Sequence, residues 1–250
     1  MRHAGAIMAG KSNERLALID VARTVALVAM AVFHLVFDLE LFGWLEPGTT
    51  VSGGWAVFAR LVAGSFLFLS GVSLVLAHEG AIRWPGVWRR LAKLVAAAAL
   101  VTGATYVAFP QAFVFFGILH SIALCSLIGL ALIRLPGVVL LTLAVAVVVV
   151  DRTVALEALN SRWLAWTGLH SVNPWAVDFV PVLPWLGAVL AGMGAAKLAG
   201  AAGLWERVRG VQAGPWLRRL AWPGRHSLIV YLVHQPVLIG LVWAGTMVLR

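Results

Sequence analysis

Charged residues are scarce in this chain. They make up 12% of its 250 residues, whereas hydrophobic residues make up 62%. A soluble domain of this size would carry about twice that fraction of charge. The composition therefore excludes a soluble domain of any size and predicts an all-α, polytopic membrane protein.

The chain has a single cysteine and no metal-binding sequence pattern. The one cysteine, Cys125, lies inside an apolar run, so an intrachain disulfide is excluded. The spacings HxxxH, HExxH and CxxC are absent, and the sequence predicts no metal site. Without internal repeats or low-complexity linkers, we expect a cytoplasmic tail over residues 1–14 and a single transmembrane domain over residues 15–250.

Acidic residues are few: 10 against 19 lysines and arginines, for a net charge of +9. The basic residues lie mainly in short loops between apolar runs, where they are typical of topology signals. This distribution argues against nucleic acid as a partner.

Seven apolar segments are present between polar or Pro- and Gly-containing stretches, and they predict about seven transmembrane helices. The fifth has only about 14 residues, which is short for a full crossing. The segments cover residues 17–37, 55–78, 94–109, 113–133, 137–150, 183–199 and 226–249.

The basic loop residues alternate between the two sides that these segments define. One side receives 14 of them, and the other receives Arg152, Arg162 and Arg250. The positive-inside rule then predicts a cytoplasmic N-terminus and an external C-terminus.

The first segment carries four polar residues that a membrane helix would not hold without a reason. Asp20, Arg23, His34 and Asp38 are separated by 3, 11 and 4 residues and so lie near one line along a helix. Arg23 and His34 differ by about 16 Å in height. Charged groups at membrane depth cost at least about 2.5–3.5 kcal/mol unless they are paired or face a wet cavity, so this line is a candidate functional site.

Two pairs stand out along this line. His34 and Asp38, spaced i, i+4, could form a general base and the carboxylate that orients it, although a structural histidine bonded to a neighbouring carbonyl is the alternative. Asp20 and Arg23 are either a neutralising ion pair or an anchor for the phosphates of an anionic cofactor.

Further titratable groups lie near mid-membrane in two other segments: His120 in the fourth, and His234 with Gln235 in the seventh. Each could be satisfied structurally or could be functional. Together with His34 they predict a shared internal polar chamber, next to a helix kinked at Pro236.

Five ordered blocks of the chain resemble bacterial members of the heparan-α-glucosaminide N-acetyltransferase catalytic-domain family, from about Arg15 to Trp243. The ten-residue spacing between Arg23 and His34 is also similar to that of the broader membrane acyltransferases of surface polysaccharides. The blocks are LALIDVARTVALVAMAVFHLVFDLELFG, FLFLSGVSL, FFGILHSIAL, VDFVPVLPWLGAVLAGM and GRHSLIVYLVHQPVLIG.

The resemblance implies an integral acyltransferase of the bacterial inner membrane, surrounded by lipid. It would move an acyl group, expected to be acetyl, from cytoplasmic acyl-CoA to a sugar or glycoconjugate outside. By this resemblance His34 is catalytic with Asp38, and Arg23 with Asp20 binds the acyl-CoA. The expected substrate pocket consists of His120, His234, Gln235, Asp178 and Trp185.

One departure from the family leaves alternatives open. The lysosomal enzyme has its catalytic histidine in the first external loop, but here that loop, Leu39 to Gly54, contains none. Direct transfer and an acyl-enzyme are both open, and a homodimer is one assembly in which the chain could work. The alternative functions are a transporter or lipid-binding protein that uses the same chamber, a b-type cytochrome with haem between the span histidines, and a non-catalytic scaffold or partner subunit.

Overall fold

A computed structural model describes residues 16–210 and 214–249. The predicted tail of residues 1–14 lies outside the described residues. So do Arg2, Lys11, Arg15 and Arg250, which entered the topology prediction.

The described residues form ten α-helices, with two single 3₁₀ turns at Glu157–Leu159 and Ala165–Thr167. Seven of these helices overlap the seven predicted apolar segments. The helices are α1 Ala17–Leu41, α2 Gly53–Ala77, α3 Trp84–Ala108, α4 Ile118–Ala131, α5 Gly137–Thr153, α6 Val182–Ala201, α7 Leu204–Gly210, α8 Pro215–Leu220, α9 Trp222–Arg225 and α10 Ser227–Leu249.

Five of the described helices, α1, α2, α3, α6 and α10, are long and apolar enough to cross a membrane. Helix α4 is apolar but has 14 residues, and α5 has 17. The prediction of an all-α membrane protein is confirmed to this extent, whereas the count of seven crossings and the orientation of the termini stay predictions.

Helix α3 begins ten residues before the segment predicted from hydropathy. Pro85 lies in its first turn, where the fixed φ of proline favours helix initiation. The hydropathy of the first turns is lowered by Arg89, Arg90 and Lys93. The side chains of these three residues line a cavity. Hydropathy therefore assigned to a loop a stretch that is helical.

Helices α2 and α6 pack closely at two glycines. A Cβ at Gly71 would overlap the Val189 carbonyl oxygen, and one at Gly192 would overlap the Phe68 carbonyl oxygen. Small residues allow such close backbone approach between membrane helices. The buried side chains of Val189 and Met193 belong to the main hydrophobic core beside this contact.

Helices α1 and α10 run side by side in the same direction. Arg225, just before α10, contacts Asp20 near the start of α1, and the rings of His34 and His234 meet further along. Beyond the end of α1, Trp44 Nε1 donates a hydrogen bond to Thr246 Oγ1 over 2.9 Å. Contacts at these three levels fix which residues of the two helices face each other.

The close packing at Gly71 gives a test of the fold. We expect Gly71→Ala to lower the free energy of unfolding by about 1–3 kcal/mol, because the added methyl group forces helices α2 and α6 apart. Thermal unfolding of the purified protein in detergent measures the change.

Gly103→Ala on α3 is the matched control, since a Cβ at Gly103 meets no atom within 4 Å. This control should keep or raise the melting temperature, because alanine favours a helix by up to about 1 kcal/mol over glycine. Equal melting temperatures for the two variants would contradict the packing.

Candidate functional site

Two histidines from different helices meet inside the bundle. His34 of α1 and His234 of α10 have ring centroids 4.9 Å apart, in an edge-on arrangement. The two residues are 200 positions apart in sequence, and the parallel contact of α1 with α10 brings them together. Of the three histidines predicted to share a polar chamber, the structure therefore brings His34 and His234 together.

A backbone carbonyl determines the tautomer of His234. Its Nδ1 lies within hydrogen-bonding distance of the Tyr231 carbonyl oxygen, which can only accept, so Nδ1 carries the hydrogen. In the neutral ring, Nε2 then keeps its lone pair. That nitrogen is buried and has no hydrogen-bond partner among the described residues.

Asp38 and Gln235 form the next layer of the site. Gln235 Nε2 donates to Asp38 Oδ1 over 2.7 Å, and Asp38 is fully buried. The hydrogen bond expected between Asp38 and His34 is not formed, because the carboxylate turns to the amide that α10 presents. Asp38 therefore does not orient His34 directly, and the sequence had not predicted its bond to Gln235.

Four buried polar atoms in this cluster have no partner in the described part of the chain: His34 Nδ1, Asp38 Oδ2, His234 Nε2 and Gln235 Oε1. The Gln235 oxygen and the His234 nitrogen can only accept, and the Asp38 oxygen accepts when ionised. Each such atom left unsatisfied costs about 1–3 kcal/mol. The cluster is therefore suited to a guest that donates hydrogen bonds. We call these four residues the acceptor cluster.

The cationic end of the line on α1 is also paired. Arg23 Nη1 donates to Asp20 Oδ1 over 2.7 Å, and its Nη2 donates to Ser73 Oγ. The other Asp20 oxygen accepts from Arg225 Nε over 3.3 Å. The ion pair expected from the i, i+3 spacing is present, and Arg225 is an addition that the sequence did not indicate.

Two adjoining cavities meet beside Arg23, with volumes of about 1020 Å³ and 470 Å³. Among the described residues that line them, the acids are Asp20 and Glu79, and Glu79 is held by Arg209. The cations are more numerous: Arg23, Arg83, Arg89, Arg90, Lys93, Arg209 and Arg225. The combined space, the basic cavity below, therefore favours an anion.

Arg90 is a half-buried cation that lines both cavities. Its Nη2 donates to Ser70 Oγ over 2.9 Å, and no carboxylate in the described ranges pairs with it. The like-charged Arg23 is near enough to act on it electrostatically. A half-buried cation in this setting is stabilised by an anionic ligand. Because hydropathy placed Arg90 in a loop, sequence analysis missed it.

Tyr231 lies between the basic cavity and the histidines. The smaller cavity extends among helices α1, α2, α3, α4 and α10, and Tyr231 and Leu119 form part of its wall. The Tyr231 ring also packs on the His234 ring, with centroids 5.6 Å apart. Nothing in the sequence pattern singles out Tyr231 beyond its position three residues before His234.

The remaining predicted pocket residues lie elsewhere. His120 Nδ1 accepts from Gly117 N over 3.3 Å, and Asp178 Oδ2 accepts from Ile118 N over 3.0 Å, so both cap the start of α4. Burial raises the pKa of the Asp178 carboxyl to about 6. Trp185 packs against the main core. The structure thus brings His234 and Gln235 to His34, and does not bring these three.

The geometry of the histidine pair bears on the cytochrome alternative. The His34 and His234 rings are in contact, so the gap between them is too narrow for a porphyrin. His120 faces Thr102 and Gly117 rather than either of these rings.

Residues 15–236 match the model of the family described as heparan-alpha-glucosaminide N-acetyltransferase, catalytic. The chain belongs to this family. The match confirms the resemblance drawn from the five sequence blocks and indicates a membrane acyltransferase. No curated protein and no solved structure matches the chain.

Proposed function

We propose that this family member transfers an acyl group, expected to be acetyl, from acyl-CoA in the basic cavity to a sugar or glycoconjugate that reaches the acceptor cluster. The observation that carries the proposal is the set of four unpartnered buried atoms on His34, Asp38, His234 and Gln235. Sugar hydroxyl and amino groups supply the hydrogen-bond donors that this set lacks.

The basic cavity suits the other substrate. Coenzyme A carries its phosphates at one end and its thioester at the other. Arginine side chains such as Arg23 and Arg90 bind phosphate well because they offer several donors in a planar fork. An arm reaching from Arg23 along α1 to His34 spans about 16 Å. The basic cavity and the histidines thus lie along one line. This arrangement suits acyl-CoA, whose phosphates would bind in the cavity while its thioester lies at the histidines.

The chemistry follows from the free nitrogens of the pair. His34 accepts the proton of the attacking hydroxyl or amine as that oxygen or nitrogen bonds to the thioester carbonyl carbon. The carbon–sulfur bond then breaks, and the proton passes to the leaving thiolate. The His234 Nε2 lone pair and Asp38 Oδ2 hold the acceptor's remaining hydrogens. Transfer through an acyl-histidine uses the same groups in two steps.

The proposal also assigns each substrate to one side of the membrane. The basic loops and the mouth of the cavity belong on the cytoplasmic side of a bacterial inner membrane, with seven helices crossing and the acceptor outside. Contacts of Arg225 with Asp20 and of Arg209 with Glu79 gather these basic segments at one end of the bundle, which supports this arrangement. The roles of His120, Asp178 and Trp185 in the substrate pocket stay predictions.

Replacing His34 tests the proposed chemistry. His34→Ala should lower acyl transfer by about 10²–10⁴-fold without reducing the amount of folded protein, because the proton acceptor is lost. The measurement is incorporation of label from radiolabelled acetyl-CoA into products of native membranes.

His226→Ala is the control, since His226 is exposed and bonds only the Trp222 carbonyl of its own turn. It should retain wild-type transfer. A transporter that uses the same chamber would move substrate without consuming acetyl-CoA, and wild-type transfer by His34→Ala would contradict the assignment.

Replacing Arg90 tests the donor site. Arg90→Gln should raise the KM for acetyl-CoA by about 10–100-fold with a smaller change in kcat, since a charge-assisted hydrogen bond is worth about 1.5–3 kcal/mol. Arg134→Gln removes an exposed arginine that does not line the cavity and should leave the KM unchanged. Equal KM values for the two variants would place the donor elsewhere.

A further inference from the structure

We infer that the Tyr231 hydroxyl is a catalytic residue of this reaction and donates a hydrogen bond to the thioester carbonyl oxygen. The inference rests on the proposed acyl transfer, which supplies the thioester. In this reaction Tyr231 stabilises negative charge, whereas the histidines accept and release protons.

The position of Tyr231 is the first argument. Its side chain packs against all three apolar clusters of the described bundle and forms part of the wall of the smaller cavity. Its ring touches that of His234, and its carbonyl holds the Nδ1 hydrogen of the same histidine. A thioester that extends from Arg23 towards His34 therefore passes the Tyr231 side chain.

The state of the hydroxyl is the second argument. Tyr231 is half-buried at the cavity wall, and its hydroxyl has no hydrogen-bond partner among the residues that the structure describes. The smaller cavity is otherwise lined by apolar residues at this end, including Ile118, Leu119 and Leu228. The hydroxyl is thus a free donor beside an apolar space of low polarity, where one hydrogen bond to developing charge is strong.

In the reaction, the hydroxyl or amine of the acceptor bonds to the thioester carbonyl carbon, and its proton goes to His34. The carbonyl oxygen becomes negative and accepts a hydrogen bond from Tyr231, which keeps its own proton throughout. When the carbon–sulfur bond breaks, the carbonyl re-forms and the proton passes from His34 to the thiolate sulfur. No oxidant or further reactant is needed.

A structural role is the competing explanation. Asp178 is the charged group that acts electrostatically on Tyr231, although no hydrogen bond joins them. If the tyrosine served only to support Asp178 and the start of α4, loss of its hydroxyl should lower the melting temperature together with kcat.

Tyr231→Phe tests the inference, because it removes the hydroxyl and keeps the ring in its three clusters. With radiolabelled acetyl-CoA and native membranes, we expect kcat to fall about 10²-fold while the KM for acetyl-CoA changes less than about threefold. The melting temperature should match the wild type. Tyr106 is the other tyrosine of the chain and is exposed, so Tyr106→Phe should keep wild-type kcat.

Wild-type kcat in Tyr231→Phe would overturn the inference, and so would a loss of kcat that a lower melting temperature accompanies. The proposed function is judged separately, on the wild-type protein. If wild-type membranes transfer no acetyl group from acetyl-CoA, the proposed function fails. If they transfer it and Tyr231→Phe is fully active, only the role of Tyr231 fails.

Discussion

The parallel contact between α1 and α10 is the constraint on which the rest of this structure depends. It places His34 against His234 and Asp38 against Gln235, away from water, where polar groups are costly. A protein selected only for stability would fill this layer with apolar side chains. Four residues here keep buried polar atoms without a partner in the described part of the chain, and we propose that a substrate supplies the missing partners.

Helices α1 and α10 contribute residues both to the acceptor cluster and to the wall of the basic cavity. Arg23 and His34 share one face of α1, and Tyr231 and His234 share one turn of α10, so each helix carries one group at the cavity and one in the acceptor cluster. The arginines of the cavity come from α1, α3, the segment before α10 and short helix α7. An anionic donor would therefore tie together parts of the chain that are distant in sequence.

Much of this arrangement follows from the sequence. The periodicity of α1 predicted the line from Asp20 to Asp38, and mid-membrane position singled out His234 and Gln235. Family blocks added the class of reaction. The polar residues of α1 and α10 could be singled out because charge inside an apolar helix is expensive and therefore informative.

The sequence could not predict which polar side chains pair with each other by hydrogen bonds. Asp38 has His34 one turn away and Gln235 on a neighbouring helix, and only the packing of α10 selects Gln235. Hydropathy also fails where a helix lines an aqueous cavity, as at Arg90 of α3, because basic residues there resemble a loop. Tyr231 is apolar in pattern and acquires its position from three clusters that meet around it.

The central claim is that one passage along α1 and α10 carries an acyl group from the basic side of the membrane to the other. Sealed vesicles of known orientation test it most directly, with radiolabelled acetyl-CoA, which does not cross membranes, supplied on the outside. The account predicts labelled product only in vesicles whose cytoplasmic face is outward, with the label in the lumen. Equal labelling in both orientations, or product on the same side as the donor, would contradict it.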